Sequence, residues 1–198
     1  MSSKNSTNTA NTLWQRQPKC NAEFFALTYG ALVSELLRDL ESASAVTAEL
    51  DRMGHSIGIR CIEEVLAKQP ASTAAPQSFP ATAELCSTAL RMLFGVTVEI
   101  QHGDSSSSSG DATGSNNTTV YKLLLSENPL MQFVEVPENL KDTLQYSQLL
   151  AGLLRGLLEV LQLDVNVTAT STSAESCEIT VTLQQVLQEG AGDDYHEE

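Results

Sequence analysis

Residues 149–163 read LLAGLLRGLLEVLQL, and no other stretch restricts the fold as much. At ~100° per residue on a helix, Arg155, Glu159 and Gln162 share one narrow strip. Leu149, Leu150, Leu153, Leu154, Leu157, Leu158, Val160 and Leu161 take most of the remaining circumference. A surface helix carries a narrower apolar stripe, so this one must be packed on more than one side. It is not a membrane span: about 22 Å of helix falls short of a ~30 Å hydrocarbon core, and the strip is charged. Gly152 and Gly156 lie four apart beside that strip. Each weakens a helix interior by about 1 kcal/mol against alanine. Packing on a thin helix in the core accounts for them.

The flanking sequence supplies the partners. Residues 1–20 are rich in Ser, Thr and Asn and lack periodicity, which predicts a flexible tail in which Trp14 either docks on the body or is an accidental exposed aromatic. Asn21 is set to cap a helix over 22–40. Ser44 is expected to cap a second, running to Lys68 on a seam of Val46, Leu50, Met53, Ile57, Cys61 and Val65. Gly54 and Gly58 form a second small-residue pair within it. These two long helices, joined by a short loop, are expected to pair antiparallel, with the outer part of the hairpin as the subunit interface.

Three prolines between 69 and 80 mark a surface linker, and Ser78 and Pro80 open a third helix that Gly95 ends. VTVEIQH over 96–102 alternates as a strand. A low-complexity tip, 103–117, leads to a second strand over 118–125. An extended apolar piece over 130–137 precedes the central helix, expected to begin near Asp142. Two more alternating runs, around Val165 and from Cys177 to Leu183, make a second hairpin. The fold class is therefore α+β, with helices on one side of a four-stranded antiparallel sheet made of two hairpins. One domain, 21–188, lies between the N-terminal tail and an acidic tail over 189–198.

The chain carries a net charge of -14, with 3 basic and 15 acidic residues after position 100. That surface repels phosphate backbones, so no nucleic-acid partner is expected and a basic partner is easier to accommodate. Cys20, Cys61, Cys86 and Cys177 form no CxxC pair and have no histidine at metal-ligand spacing. No metal and no catalytic residues are assigned. The start, MSSKNSTNTANTLWQRQPK, holds no apolar run, which points to a cytosolic setting. Composition and spacing stop at a helix-plus-sheet domain with an unusually apolar interior.

Two blocks carry a resemblance further. FFALTYGALV from Phe24, followed by LDRMGHSIGIR from Leu50, forms the first. NPLMQFVEVP from Asn128, followed by YSQLLAGLLRGLLE from Tyr146, forms the second, with RMLFG from Arg91 between them. Over residues 22–188 the chain resembles the transport protein particle (TRAPP) family, and within it the Bet-three type subunits (subunit three).

The resemblance implies the same fold and a non-enzymatic scaffold subunit of a vesicle-tethering complex in ER-to-Golgi and Golgi transport. It implies other TRAPP subunits as partners, in a homodimer or heterodimer. The implied location is the cytoplasm, peripheral on Golgi and endoplasmic reticulum membranes. As an assembly the family activates a Rab-type small GTPase. An interface through Phe24, Thr28, Leu32, Gly54 and Gly58 is implied. So is an apolar tunnel for a fatty acyl chain, lined by Ile57, Cys61, Cys86, Ala89, Leu154 and Leu158. The family's acylated cysteine falls here at Ala75 or Pro76, and neither can form a thioester. The tunnel then either holds a free, palmitate-like fatty acid or is filled by side chains, and no other cofactor is implied. The alternative function is a fatty-acyl or small-molecule binding module on this fold.

Overall fold

A computed structural model describes residues 10–68, 76, 78–103, 119–171 and 176–187. Six helical segments precede or interrupt four strands: α1 (residues 10–16), α2 (Ala22–Asp39), α3 (Ala43–Lys68), α4 (Phe79–Phe94), β1 (Val98–His102), β2 (Val120–Leu125), α5 (Glu138–Lys141), α6 (Gln148–Val160), β3 (Leu163–Ser171) and β4 (Cys177–Val186).

Local chemistry sets most boundaries. Asn21 Oδ1 accepts the Phe24 N–H at 2.8 Å and starts α2. Ser42, not the expected Ser44, begins α3, because its hydroxyl accepts the Ala45 N–H at 3.2 Å. Gly95 ends α4 at φ 75°, a left-handed conformation that favours glycine. The central helix starts at Gln148 and not near Asp142. The intervening residues form the single turn α5 and an irregular stretch that carries Tyr146 inward.

The expected flexible tail does not extend over residues 10–20. Residues 10–16 are helical and Ala10 is buried. A Cβ at Gly95 would stand 2.5 Å from the Trp14 ring, so the indole covers the bare Gly95. Asn11 accepts a hydrogen bond from Arg91 on α4 at 2.9 Å, and Lys68 donates to Gln17 at 3.0 Å. The expected tails over 1–9 and 189–198, and the tip over 104–117, lie outside the described residues.

The strands pair antiparallel in the order β1-β2-β4-β3. Alternation decides the faces. Ile100, Leu123, Ile179 and Ala169 stand in one rank across the sheet, facing the helices. Lys122, Thr180 and Thr168 form the neighbouring rank on the other face, with Thr168 exposed and Lys122 and Thr180 half-buried. The helical layer rests on the inner face through α4 and α6, and all of α6 from Leu149 to Leu158 is buried apart from half-exposed Arg155. The broad apolar circumference of this helix thus has sheet on one side and α3 on the other.

Candidate functional site

The packing of α3 on α6 determines which surfaces remain for function. A Cβ built at Gly54 would overlap the Leu149 carbonyl oxygen and stand 2.9 Å from Leu153 N. At Gly58 it would overlap Leu153 O and stand 2.8 Å from Leu157 N. The relation is reciprocal: Gly152 and Gly156 would place theirs 2.9 Å from the carbonyl carbons of Asp51 and His55. The two helices run in the same direction and touch backbone to backbone. Side chains close the exposed rim of the seam. Arg155 pairs with Asp51, Gln148 donates to Asp51 at 3.1 Å, and His55 meets Glu159 at 2.6 Å.

This geometry corrects two expectations. The close partner of α3 is α6 of its own chain, not α2 in an antiparallel hairpin. Gly54 and Gly58 are covered by that helix and have no face left for another subunit. The other residues of the expected interface divide. Phe24 is 72% exposed and Thr28 is exposed, while Leu32 is half-buried against the core. Leu27, 63% exposed, joins Phe24 on α2, and Ala31 one turn on is also exposed. Leu27 belongs to the apolar residues of 22–40, and only the fold turns it outward.

The expected tunnel residues divide as well. Cys86 and Ala89 on α4 and Leu154 and Leu158 on α6 are fully buried in one apolar cluster. Ile57 is 38% exposed and Cys61 half-buried, and both lie outside that cluster. They sit on the flank of α3, because Gly54 and Gly58 take the side that faces α6. Of the two candidate anchor positions, Ala75 is outside the described residues and Pro76 is half-buried ahead of α4.

Thr82, Cys86 and Ala89 recur at helical spacing on one face of α4. Opposite them Tyr121 of β2 is buried, its ring 4.9 Å from Phe79. The Thr82 hydroxyl donates to Phe79 O at 2.6 Å. It can therefore accept the Tyr121 hydroxyl at 3.1 Å, and Cys86 Sγ lies 3.5 Å from the same phenol oxygen. Burial pushes the Cys86 thiol up to about 12, despite the bond to Tyr121. Burial also raises Cys177 to about 11, and raises Cys61 together with the nearby Glu64 carboxylate. Neutral thiols are poor nucleophiles and poor metal ligands. Among the described residues no group of three or more His, Cys, Asp or Glu could hold a metal.

Sequence reasoning missed a polar clasp around the start of α6. Tyr29 donates to Tyr146 O at 2.7 Å, with the two rings edge to face at 5.0 Å. Buried Asn128 donates to the Ser147 hydroxyl at 2.7 Å and accepts the Leu130 N–H. Asn128 and Tyr146 each open a segment of the second resemblance block, and nothing in that pattern shows that their segments meet.

Comparison with known proteins agrees over nearly the whole domain. The profile of the family described as "Transport protein particle (TRAPP) component" matches residues 25–185. The chain is 36% identical over 181 residues to the trafficking protein particle complex subunit 3 of Dictyostelium discoideum, covering 89% of this chain and 90% of that protein. It is 38% identical over 180 residues to the transport protein particle subunit bet3 of Schizosaccharomyces pombe, covering 89% and 91%. A crystal structure of a trafficking protein particle complex subunit 3 from Naegleria fowleri, covalently bound to palmitic acid, superposes with a TM-score of 0.72. That match has 33% identity and covers 85% of this chain and 98% of the other.

Proposed function

The chain belongs to the TRAPP component family, and on that premise we propose that it serves as a non-enzymatic scaffold subunit of a TRAPP-type vesicle-tethering complex. The observation that carries this reading is the similarity to subunit-three proteins over 89% of the chain, at 36–38% identity. Its work is to hold other subunits in place. The assembly, not this chain, would exchange nucleotide on a Rab-type GTPase during ER-to-Golgi and Golgi transport. Among the described residues no helix is long and apolar enough to cross a membrane. Attachment to Golgi or endoplasmic reticulum membranes would then be peripheral, through the complex.

The exposed apolar residues on α2, Phe24 and Leu27 with Thr28 and Ala31 beside them, are the face we assign to a neighbouring subunit. Purification of the tagged chain from its native cells tests the reading. Recovery of other TRAPP-family subunits in fixed ratio is expected. Recovery of the chain alone rejects it.

The palmitate on the Naegleria fowleri protein favours a second property, acyl binding within the same fold. Cys86, Ala89, Leu154 and Leu158, buried together between α4 and α6, supply an apolar environment for it. The manner of holding would differ. Alanine or proline stands where the family cysteine is expected, and Cys86 and Cys177 are held neutral by burial. Any acyl chain is therefore bound as a free fatty acid. Denaturing extraction followed by mass spectrometry should release it without hydroxylamine. An adduct that survives denaturation and yields to hydroxylamine contradicts this.

A further inference from the structure

We propose that the free edge of β1, with the groove beside it, receives an extended, positively charged segment of a partner protein. Among the described residues β1 is first in the sheet order, so only one of its sides faces another strand. Among the described residues no backbone hydrogen bond reaches Val98–His102 from the other side. Such an edge offers N–H and C=O groups to any strand that can lie along it.

The surrounding side chains dictate what that strand must be. A groove of about 460 Å³ lies between residues 96–100 and the α4 stripe of Glu84, Ser87 and Arg91. Val98 and Ile100, both half-buried, give it an apolar floor. Glu84 and Glu99 line it, and neither belongs to an ion pair among the described residues. Arg91 is already engaged, donating to Asn11, to the Gly95 carbonyl and to Thr97. It also lies seven residues from Glu84, about 10 Å along the helix. The end of the groove near Glu84 is therefore negative above an apolar floor.

A strand alternates its side chains between two sides, so one that alternates apolar and basic residues sets its apolar side chains over Val98 and Ile100 and its basic ones beside Glu99 on the opposite face, with a basic residue at its end within reach of Glu84 at the rim. The net charge of -14 adds attraction at longer range. A second copy of this chain is a poor occupant. Its own edge, Val-Glu-Ile-Gln-His, would set Glu99 near acid and bring no lysine or arginine.

The test uses the full chain and a nine-residue peptide alternating valine and lysine, with ends blocked. Labelled-peptide anisotropy and amide hydrogen exchange are read together. The peptide should bind and slow exchange at residues 98–102. The pair of changes Glu84→Lys and Glu99→Lys should weaken binding at least tenfold without altering the melting temperature. A peptide of the same charge with proline at its central valines should give no protection at β1. Equal binding of the proline peptide, binding that survives charge reversal, or protection in the free chain of the β1 amides that point away from β2 would each overturn the proposal.

Discussion

Gly58 lays its bare Cα against the carbonyl of Leu153, close enough that a Cβ would overlap the oxygen and stand 2.8 Å from Leu157 N. The contact recurs between Gly54 and Leu149, and Gly152 and Gly156 return it on Asp51 and His55. Backbone cannot yield as a flexible side chain can, so restoring one methyl group pushes the helices apart. Gly58→Ala is expected to lose about 1–3 kcal/mol by overpacking. Gly58→Leu should fail to fold. Thermal melting with sedimentation at matched concentrations checks this. A stably folded Gly58→Leu monomer would mean that the seam faces a second subunit after all.

The two tyrosines at the start of α6 should respond in opposite ways. Tyr29→Phe removes the 2.7 Å bond to Tyr146 O and should cost about 1–3 kcal/mol, because a buried carbonyl loses that donor. The Tyr146 hydroxyl is buried with no hydrogen-bond partner among the described residues. Tyr146→Phe should be neutral or stabilise by up to ~1 kcal/mol. Urea midpoints of the two variants decide, and equal losses would refute the assignment.

Alkaline pH should destabilise the fold through Cys86. Its thiol is raised from the ordinary 9.0 to about 12 in the folded chain. Above pH 9 the unfolded chain sheds this proton while the folded chain keeps it, so stability is full below 9 and falls towards 12. The expected loss is roughly 1.4 kcal/mol per pH unit for one thiol. Urea unfolding under reducing conditions at about pH 8 and pH 10 measures it, with Cys86→Ala as the reference. An unchanged slope in the variant refutes the origin. In the native chain, maleimide should label exposed Cys20 first, and Cys86 and Cys177 only after unfolding.

On α2, Phe24→Asp should break association and spare folding. The side chain is 72% exposed in the isolated chain, so little core packing is lost. A charge set into an apolar interface should weaken partner binding at least tenfold, about 1.4 kcal/mol. Co-purification yields compared with melting temperatures separate the two effects, and undiminished association would remove α2 from the interface.

Much of this architecture was legible because periodicity and caps act locally. The breadth of apolar residues over 149–163 demanded packing on two sides, and α6 is buried between sheet and α3. Asn21 and Gly95 marked helix ends by chemistry that operates within one turn. Pairing was less legible. A glycine pair announces that a backbone comes close and not which one, so Gly54 and Gly58 read as a subunit interface while they face α6. The matching i, i+4 pair at Gly152 and Gly156 was the signal for a mutual seam. Trp14 could not be assigned a partner, because Gly95 lies far along the chain. Ile57 and Cys61 read as inner-face residues until the seam fixed the rotation of α3.

Native mass spectrometry of the chain drawn from its own cells at its natural abundance tests the central claim most directly. We expect an assembly with other TRAPP-family subunits, in which this subunit carries a fatty acid that leaves on gentle activation. A chain recovered without protein partners, or one bearing its acyl group through a covalent bond, would contradict the account.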